Sequence, residues 1–229
     1  MQVTQIYLSD NGEPPPRVLQ GYIASVRRSF SHLPHVVYDN EMVRGLIGGN
    51  FGESVLGAYD KLRPYAYKSD LGRYCIVYVV GGWYFDVGLY CPFPGPGLER
   101  RISLVAFRED PLVTPFASWA VAGGLFYAHA SHPALKKAID RIVSNCKSNY
   151  YGSNPLCPTG PSVWGRAVCE LTPRHGLKNR VMVLPNGKIV ALYKPTHPHG
   201  YRHTFSRMGA IGCNDYNELW NRRRVYQGE

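Results

Sequence analysis

The chain has 229 residues, 45% hydrophobic and 13% aromatic, enough for one full-sized domain with its own core over 1–229. Its 26 basic and 16 acidic side chains leave a formal charge of +10, which favours polyanionic partners such as nucleic acid, anionic headgroups or substrate phosphates. No apolar run approaches the roughly 18 residues of a membrane span, the N-terminus has no secretory pattern, and the six cysteines form no CxxC pair. A transmembrane protein, a secreted one and a zinc knuckle are therefore set aside, and reduced thiols in a cytoplasm are expected.

In chain order, Gln5–Leu8 reads as a first strand, and Ser9–Pro16, with Asp-Asn-Gly and three prolines, as a loop. Val18, Leu19, Tyr22, Val26 and Phe30 recur at helical spacing, predicting a helix over 18–30. His35–Tyr38 is a second strand. Short helices follow over Glu41–Ile47 and Glu53–Leu62, on either side of a Gly-Gly-Asn break. Tyr65–Val80 is a longer helix with Leu71, Cys75, Tyr78 and Val79 as its buried stripe, closed by a Gly81-Gly82 turn. Trp83–Asp86 is a strand, Cys91–Gly97 a proline-rich loop, and Ile102–Phe107 another strand. Trp119–His129 is β-like, broken at Gly123-Gly124. Pro133–Cys146 is a helix, with proline at its start. Thr159-Gly160-Pro161 opens a short helix to Val168. Val181–Leu184 and Ile189–Tyr193, joined at Asn186-Gly187, form a hairpin. Asn214–Arg222 is a last helix. Helices alternate with strands early and mix later, which predicts an α/β fold with a mostly parallel central sheet flanked by helices, then a C-terminal hairpin and helix.

Three features carry chemistry. Asp70 and Arg73 stand at i and i+3 on one helix face. They are either a surface ion pair or a carboxylate and guanidinium placed to grip sugar hydroxyls. Asp86 closes an apolar strand, as a turn aspartate or as a ligand to a divalent cation or a ribose hydroxyl. Arg222-Arg223-Arg224 either complements a helix dipole or meets an anionic membrane or a phosphate-bearing acceptor. Six of the eight histidines (His129, His132, His175, His197, His199, His203) could be metal ligands, but there is no HExxH and most read as surface or loop residues, with His197, His199 and His203 kept as candidates to face a site. There is no GxSxG, P-loop or GxGxxG, and no nucleic-acid-binding motif.

The run Tyr67-Lys68-Ser69-Asp70-Leu71-Gly72-Arg73-Tyr74, followed by Gly81-Gly82-Trp83-Tyr84-Phe85-Asp86, resembles the DXD-type sugar transferases. That group includes yeast initiating mannosyltransferases, bacterial capsular and lipopolysaccharide sugar transferases, and the glucosyltransferase domain of clostridial toxins. Their pattern is K-x-D-x-x-R-Y, then G-G-x-Y-x-D-x-D. Gln5-Ile6-Tyr7, Ser25-Val26-Arg27, Tyr38-Asp39 and Thr159-Gly160-Pro161 resemble flanking motifs of the same group.

The resemblance implies a GT-A-like (Rossmann-like) glycosyltransferase domain. It would use a UDP- or GDP-sugar donor and a glycan or lipid-linked acceptor, with retention of configuration, in bacterial surface-polysaccharide synthesis. The protein would be cytoplasmic, peripheral at the inner face of a membrane, with no nucleic-acid partner. Asp70 and Arg73 would hold the transferred sugar. Gln5, Ile6, Tyr7, Gly82, Thr159 and Gly160 would line the donor site, with Tyr7 stacking on the base. Asp86 would hold the ribose and a Mn²⁺ or Mg²⁺ ion. The second aspartate of the motif is Gly88 here, so His203 or Asp215 would complete the metal site, or a cation such as Arg207 would replace the metal, or the protein would bind sugar nucleotide without turning it over.

Overall fold

The computed structural model describes residues 1–10, 12–92, 94–95, 97–98, 101–108, 120–171, 181–183, 189–193 and 215–228. Its strands are β1 (Gln2–Ile6), β2 (His35–Tyr38), β3 (Gly82–Phe85), β4 (Ile102–Arg108), β5 (Val121–Ala128), β6 (Val181–Val183) and β7 (Ile189–Tyr193). Its helices are α1 (Arg17–Ser29), α2 (Asn40–Asn50), α3 (Glu53–Lys61), α4 (Tyr65–Val80), α5 (Pro133–Lys147), α6 (Pro161–Cys169) and α7 (Tyr216–Asn221).

The strands form one seven-stranded sheet in the order β2-β1-β3-β5-β4-β7-β6. β1 runs parallel to both β2 and β3. β5 runs against β3, and β4 against β5, so β4 points with β1. β7 is parallel to β4, and β6 is antiparallel to β7. Five strands therefore point one way and two, β5 and β6, the other, which is the mostly parallel sheet expected. The expected hairpin is present as the β6–β7 pairing, with its turn outside the described residues.

Side chains alternate across the sheet. Val3, Trp83, Phe85, Val105, Leu125 and Tyr127 pack with Val26 and Phe30 at the end of α1. Ile6, Tyr84, Leu104, Ala106, Phe126 and Ala128 pack on the other face against α4, α5 and α6. α4 is buried on nearly every side from Tyr67 to Val77, because α2 and α5 cover the part the sheet does not. The expected stripe is corrected accordingly: Leu71 and Cys75 are fully buried, while Tyr78 and Val79 are only half-buried at the helix end.

Other boundaries move for local reasons. β1 starts three residues before the expected Gln5, and its polar residues are satisfied indoors: Gln2 Nε2 donates to Thr4 Oγ1 and Tyr38 Oη. α2 runs through Gly48-Gly49-Asn50 and ends at Phe51. Gly123-Gly124 does not interrupt β5, whose pairing with β3 and β4 holds it extended. Gly81 caps α4 with φ 64°, and Gly82 follows at φ 116°. A Cβ on Gly82 would sit 2.0 Å from the Gln2 carbonyl oxygen, so only glycine lets β3 leave the helix beside β1.

Candidate active site

The chain winds from β1 to β2 on one side and to β3 on the other, so the crossover direction reverses at β1. The carboxyl ends of strands at such a reversal form a natural ligand crevice in open α/β sheets. Tyr7, Asp39 and Asp86 follow those three ends. Asp39 is spent locally: its carboxylate accepts from the Met42 N–H and caps α2.

β3 returns along α4, so Asp86, one residue past its end, lies beside the N-terminal half of the helix. There Asp70 and Arg73 project together. Arg73 Nη2 lies 3.1 Å from Asp70 Oδ1, and Nη1 lies 3.3 Å from Asp86 Oδ1. Nη1 also donates to the Gly123 carbonyl at 2.6 Å, and Nε to the Ser69 carbonyl at 3.1 Å. The guanidinium sits 4.7 Å from the centre of the Tyr84 ring. Tyr84 Oη in turn donates to Asp86 Oδ1 at 2.9 Å. From the start of α6, Thr159 Oγ1 donates to Asp70 Oδ2 at 2.7 Å.

Burial grades this cluster. Asp70 and Arg73 are 9% and 6% exposed and Thr159 is fully buried, whereas the Asp86 side chain is 34% exposed. The cluster therefore opens to solvent at Asp86. Burial pushes the Asp70 carboxyl above its ordinary range, opposed by Arg73 and by the Thr159 hydrogen bond. Burial also works against the charge on Arg73, but Asp86, Tyr84 and Asp70 hold its guanidinium above the usual value. Two carboxylates and one guanidinium leave a formal charge of −1.

That excess charge bears on the metal. Asp86 Oδ1 is taken by Tyr84 and Arg73, and Oδ2 has no hydrogen bond among the described residues. A Mg²⁺-like cation held by one carboxylate and by substrate phosphates fits this arrangement. Gly88 offers no ligand, and among the described residues no group of three His, Cys, Asp or Glu could hold a cation by protein alone.

The other expected site residues divide. Gly160 lies next to the cluster, where an added Cβ would come 3.7 Å from Asp70 Oδ2. Tyr7 is half-buried and packs with Tyr22 and Val37 against Leu19, Ile23 and Val87. The Ile6 side chain belongs to the core, against the helix at Gly72. Gly82 packs on the β1 backbone. Gln5 is fully buried at the end of β1, with its side-chain oxygen 2.8 Å from His35 Nε2. Asp215 caps α7 by accepting from Asn217 and Glu218, and His132 caps α5 by accepting from Ala134. His175, His197, His199, His203 and Arg207 lie outside the described residues. Of the arginine cluster, Arg222 pairs with Glu218 at 2.8 Å and Arg223 stacks on Tyr151 and Trp220.

Two members of the site were not expected. Tyr84 was legible: it stands two residues before Asp86, hence on the same face of β3. Gly123 carries no local signal. It matters because a Cβ there would stand 3.2 Å from Arg73 Nη1.

No protein-family model matches the chain. It is 39% identical over 141 residues to an uncharacterized glycosyltransferase of Acanthamoeba polyphaga mimivirus, a match covering 60% of this chain and 52% of that protein. It is 24% identical over 187 residues to the initiation-specific alpha-1,6-mannosyltransferase of Schizosaccharomyces pombe, covering 69% of this chain and 46% of that one. The chain thus spans about half the length of the curated relatives it matches. Among solved structures it is similar to PaToxG Glycosyltransferase, with a TM-score of 0.57 at 15% identity over 75% of this chain and 68% of that chain. That likeness shows the fold, which is GT-A-like, and the two relatives bear out the resemblance to sugar transferases. No helix among the described residues is long and apolar enough to cross a membrane.

Proposed function

We propose that this chain is a glycosyltransferase domain that moves a sugar from a nucleotide-diphosphate donor to a glycan or lipid-linked acceptor, with retention of configuration. The observation that carries the reading is the pair of carboxylates on one buried guanidinium, opening at Asp86 at the carboxyl ends of parallel strands. The names of the two relatives support transfer over silent binding of a sugar nucleotide. Those relatives come from a mimivirus and a fission yeast, and neither name points to a bacterial surface polysaccharide.

In this reading, Asp70 accepts a hydrogen bond from a hydroxyl of the transferred sugar, and its burial keeps competing water away. A guanidinium has five N–H donors. Arg73 donates Nε to Ser69 and Nη1 to Gly123 and forms ion pairs with Asp86 and Asp70, so Nη2 is the nitrogen left to donate to a second sugar hydroxyl. Asp86 Oδ2 meets the ribose or a divalent cation. When bound, such a cation would neutralise charge on the departing diphosphate. Tyr84 and Arg73 hold Oδ1, so Asp86 presents Oδ2 outward.

The test is hydrolysis of a panel of UDP- and GDP-sugars by the wild type, Asp70→Asn and Asp86→Asn, each with Mn²⁺ and with EDTA. Turnover by the wild type in Mn²⁺, its loss in EDTA, and its loss in both folded variants are expected. Turnover in EDTA would replace the cation at Asp86 by protein cations. Wild-type rates in both variants would remove the site assignment.

A further inference from the structure

We propose that Gln5 is a positioning residue for Asp86, oriented by His35, and that it acts from the face of the sheet opposite Arg73. The proposal rests on the role given to Asp86 above. Alternation along β1 places Gln5 with Val3 on the α1 face, while Ile6 faces α4. Gln5 Nε2 donates to the Asp86 carbonyl at 3.4 Å. The same carbonyl accepts from the Leu89 N–H at 3.0 Å, closing the turn that contains Gly88. The Asp86 N–H donates to Gly124 at 2.8 Å. The peptide groups on both sides of Asp86 are thus pinned, independently of its carboxylate.

The amide of Gln5 is oriented in turn. Arg27 Nε donates to His35 Nδ1 at 3.4 Å, so the ring proton belongs on Nε2, which lies 2.8 Å from Gln5 Oε1. With Oε1 committed to His35, Nε2 must face Asp86. Burial and the neighbouring Arg27 lower the His35 pKa to about 4, so the ring is neutral at physiological pH. The relay fixes geometry without adding charge beside Asp86. Because reaction rates fall steeply with about 1 Å of misplacement, the loss of this pin is felt in turnover.

The test combines a spectroscopic and a kinetic readout. Nitrogen-15 NMR of the wild type is expected to show His35 as the neutral Nε2–H tautomer at pH 7. In Gln5→Glu a carboxylate would face the ring, and His35 is expected to hold its proton to higher pH than in the wild type. Donor hydrolysis by Gln5→Glu and Gln5→Met is expected to lose about tenfold in kcat. The donor KM should change by less than kcat does, since Asp70 and Arg73 are untouched on the other face and Asp86 keeps its carboxylate. An Nδ1–H tautomer in the wild type, or full kcat in Gln5→Met, would overturn the proposal. Full turnover in Asp86→Asn would instead overturn the site reading beneath it, a distinct result.

Discussion

The two faces of the sheet treat Asp86 differently. On the α4 face its carboxylate meets a buried guanidinium shared with a second carboxylate. On the α1 face its backbone meets an amide oriented by a neutral imidazole. Charge on the first face sets the electrostatics a ligand would feel. On the second face, neutral dipoles set only position. The two jobs are separable because a strand end offers its side chain to one layer and its peptide to the other. The cost also differs: buried ions need each other to offset desolvation, whereas a typical neutral hydrogen bond contributes about 1 kcal/mol whatever the pH.

Removing the guanidinium tests the charged face most severely. Arg73→Ala would leave Asp70 buried without its cation and is expected to cost about 3–5 kcal/mol in urea unfolding, the range for breaking a buried pair. A loss under about 1 kcal/mol would show that Asp70 is well solvated there.

A smaller effect is expected from pH. The folded Asp70 carboxyl titrates above its unfolded value. Its contribution to stability is therefore fully present below the unfolded value of about 3.9 and is lost as pH rises through the folded one. Unfolding free energies over a pH series should show Asp70→Asn gaining on the wild type as pH rises through that window. Parallel curves would mean that Arg73 and Thr159 cancel the effect of burial.

The smallest effect belongs to an ion pair without burial. Arg44 and Asp60 make a bidentate pair at 2.9 Å, with side chains 47% and 40% exposed. Arg44→Ala is expected to cost far less than Arg73→Ala, and less still in high salt. A cost near that of Arg73→Ala would deny that burial is what separates the two pairs.

Much of the fold was legible because its signals are local. Pro64 and Gly81 bracket α4, Pro133 opens α5, and the Gly81-Gly82 turn sends β3 back along the helix. The strand order was not legible, since β5 entering between β3 and β4 depends on partners far along the chain. The site shows the same division. Asp70, Arg73 and Asp86 announce themselves by spacing, and the structure gathers them. Gly123 joins only through a tertiary approach, and Thr159 takes its partner across 89 positions of sequence. Nothing in the sequence pairs Gln5 with its neighbour: His35, brought alongside by β2, meets its side-chain oxygen.

Tyr226 pairs with Leu62 in an antiparallel bridge, flanked by bonds from Arg63 to Val225 and from Gln227 to Lys61. Val225 and Tyr226 are fully buried, in the same core cluster as Tyr59 and Leu62. During synthesis, that cluster at the entrance to α4 cannot close until residue 226 has left the ribosome. Until those residues emerge the nascent chain carries an open seam beside α4, a window in which apolar surface invites chaperones or misassembly.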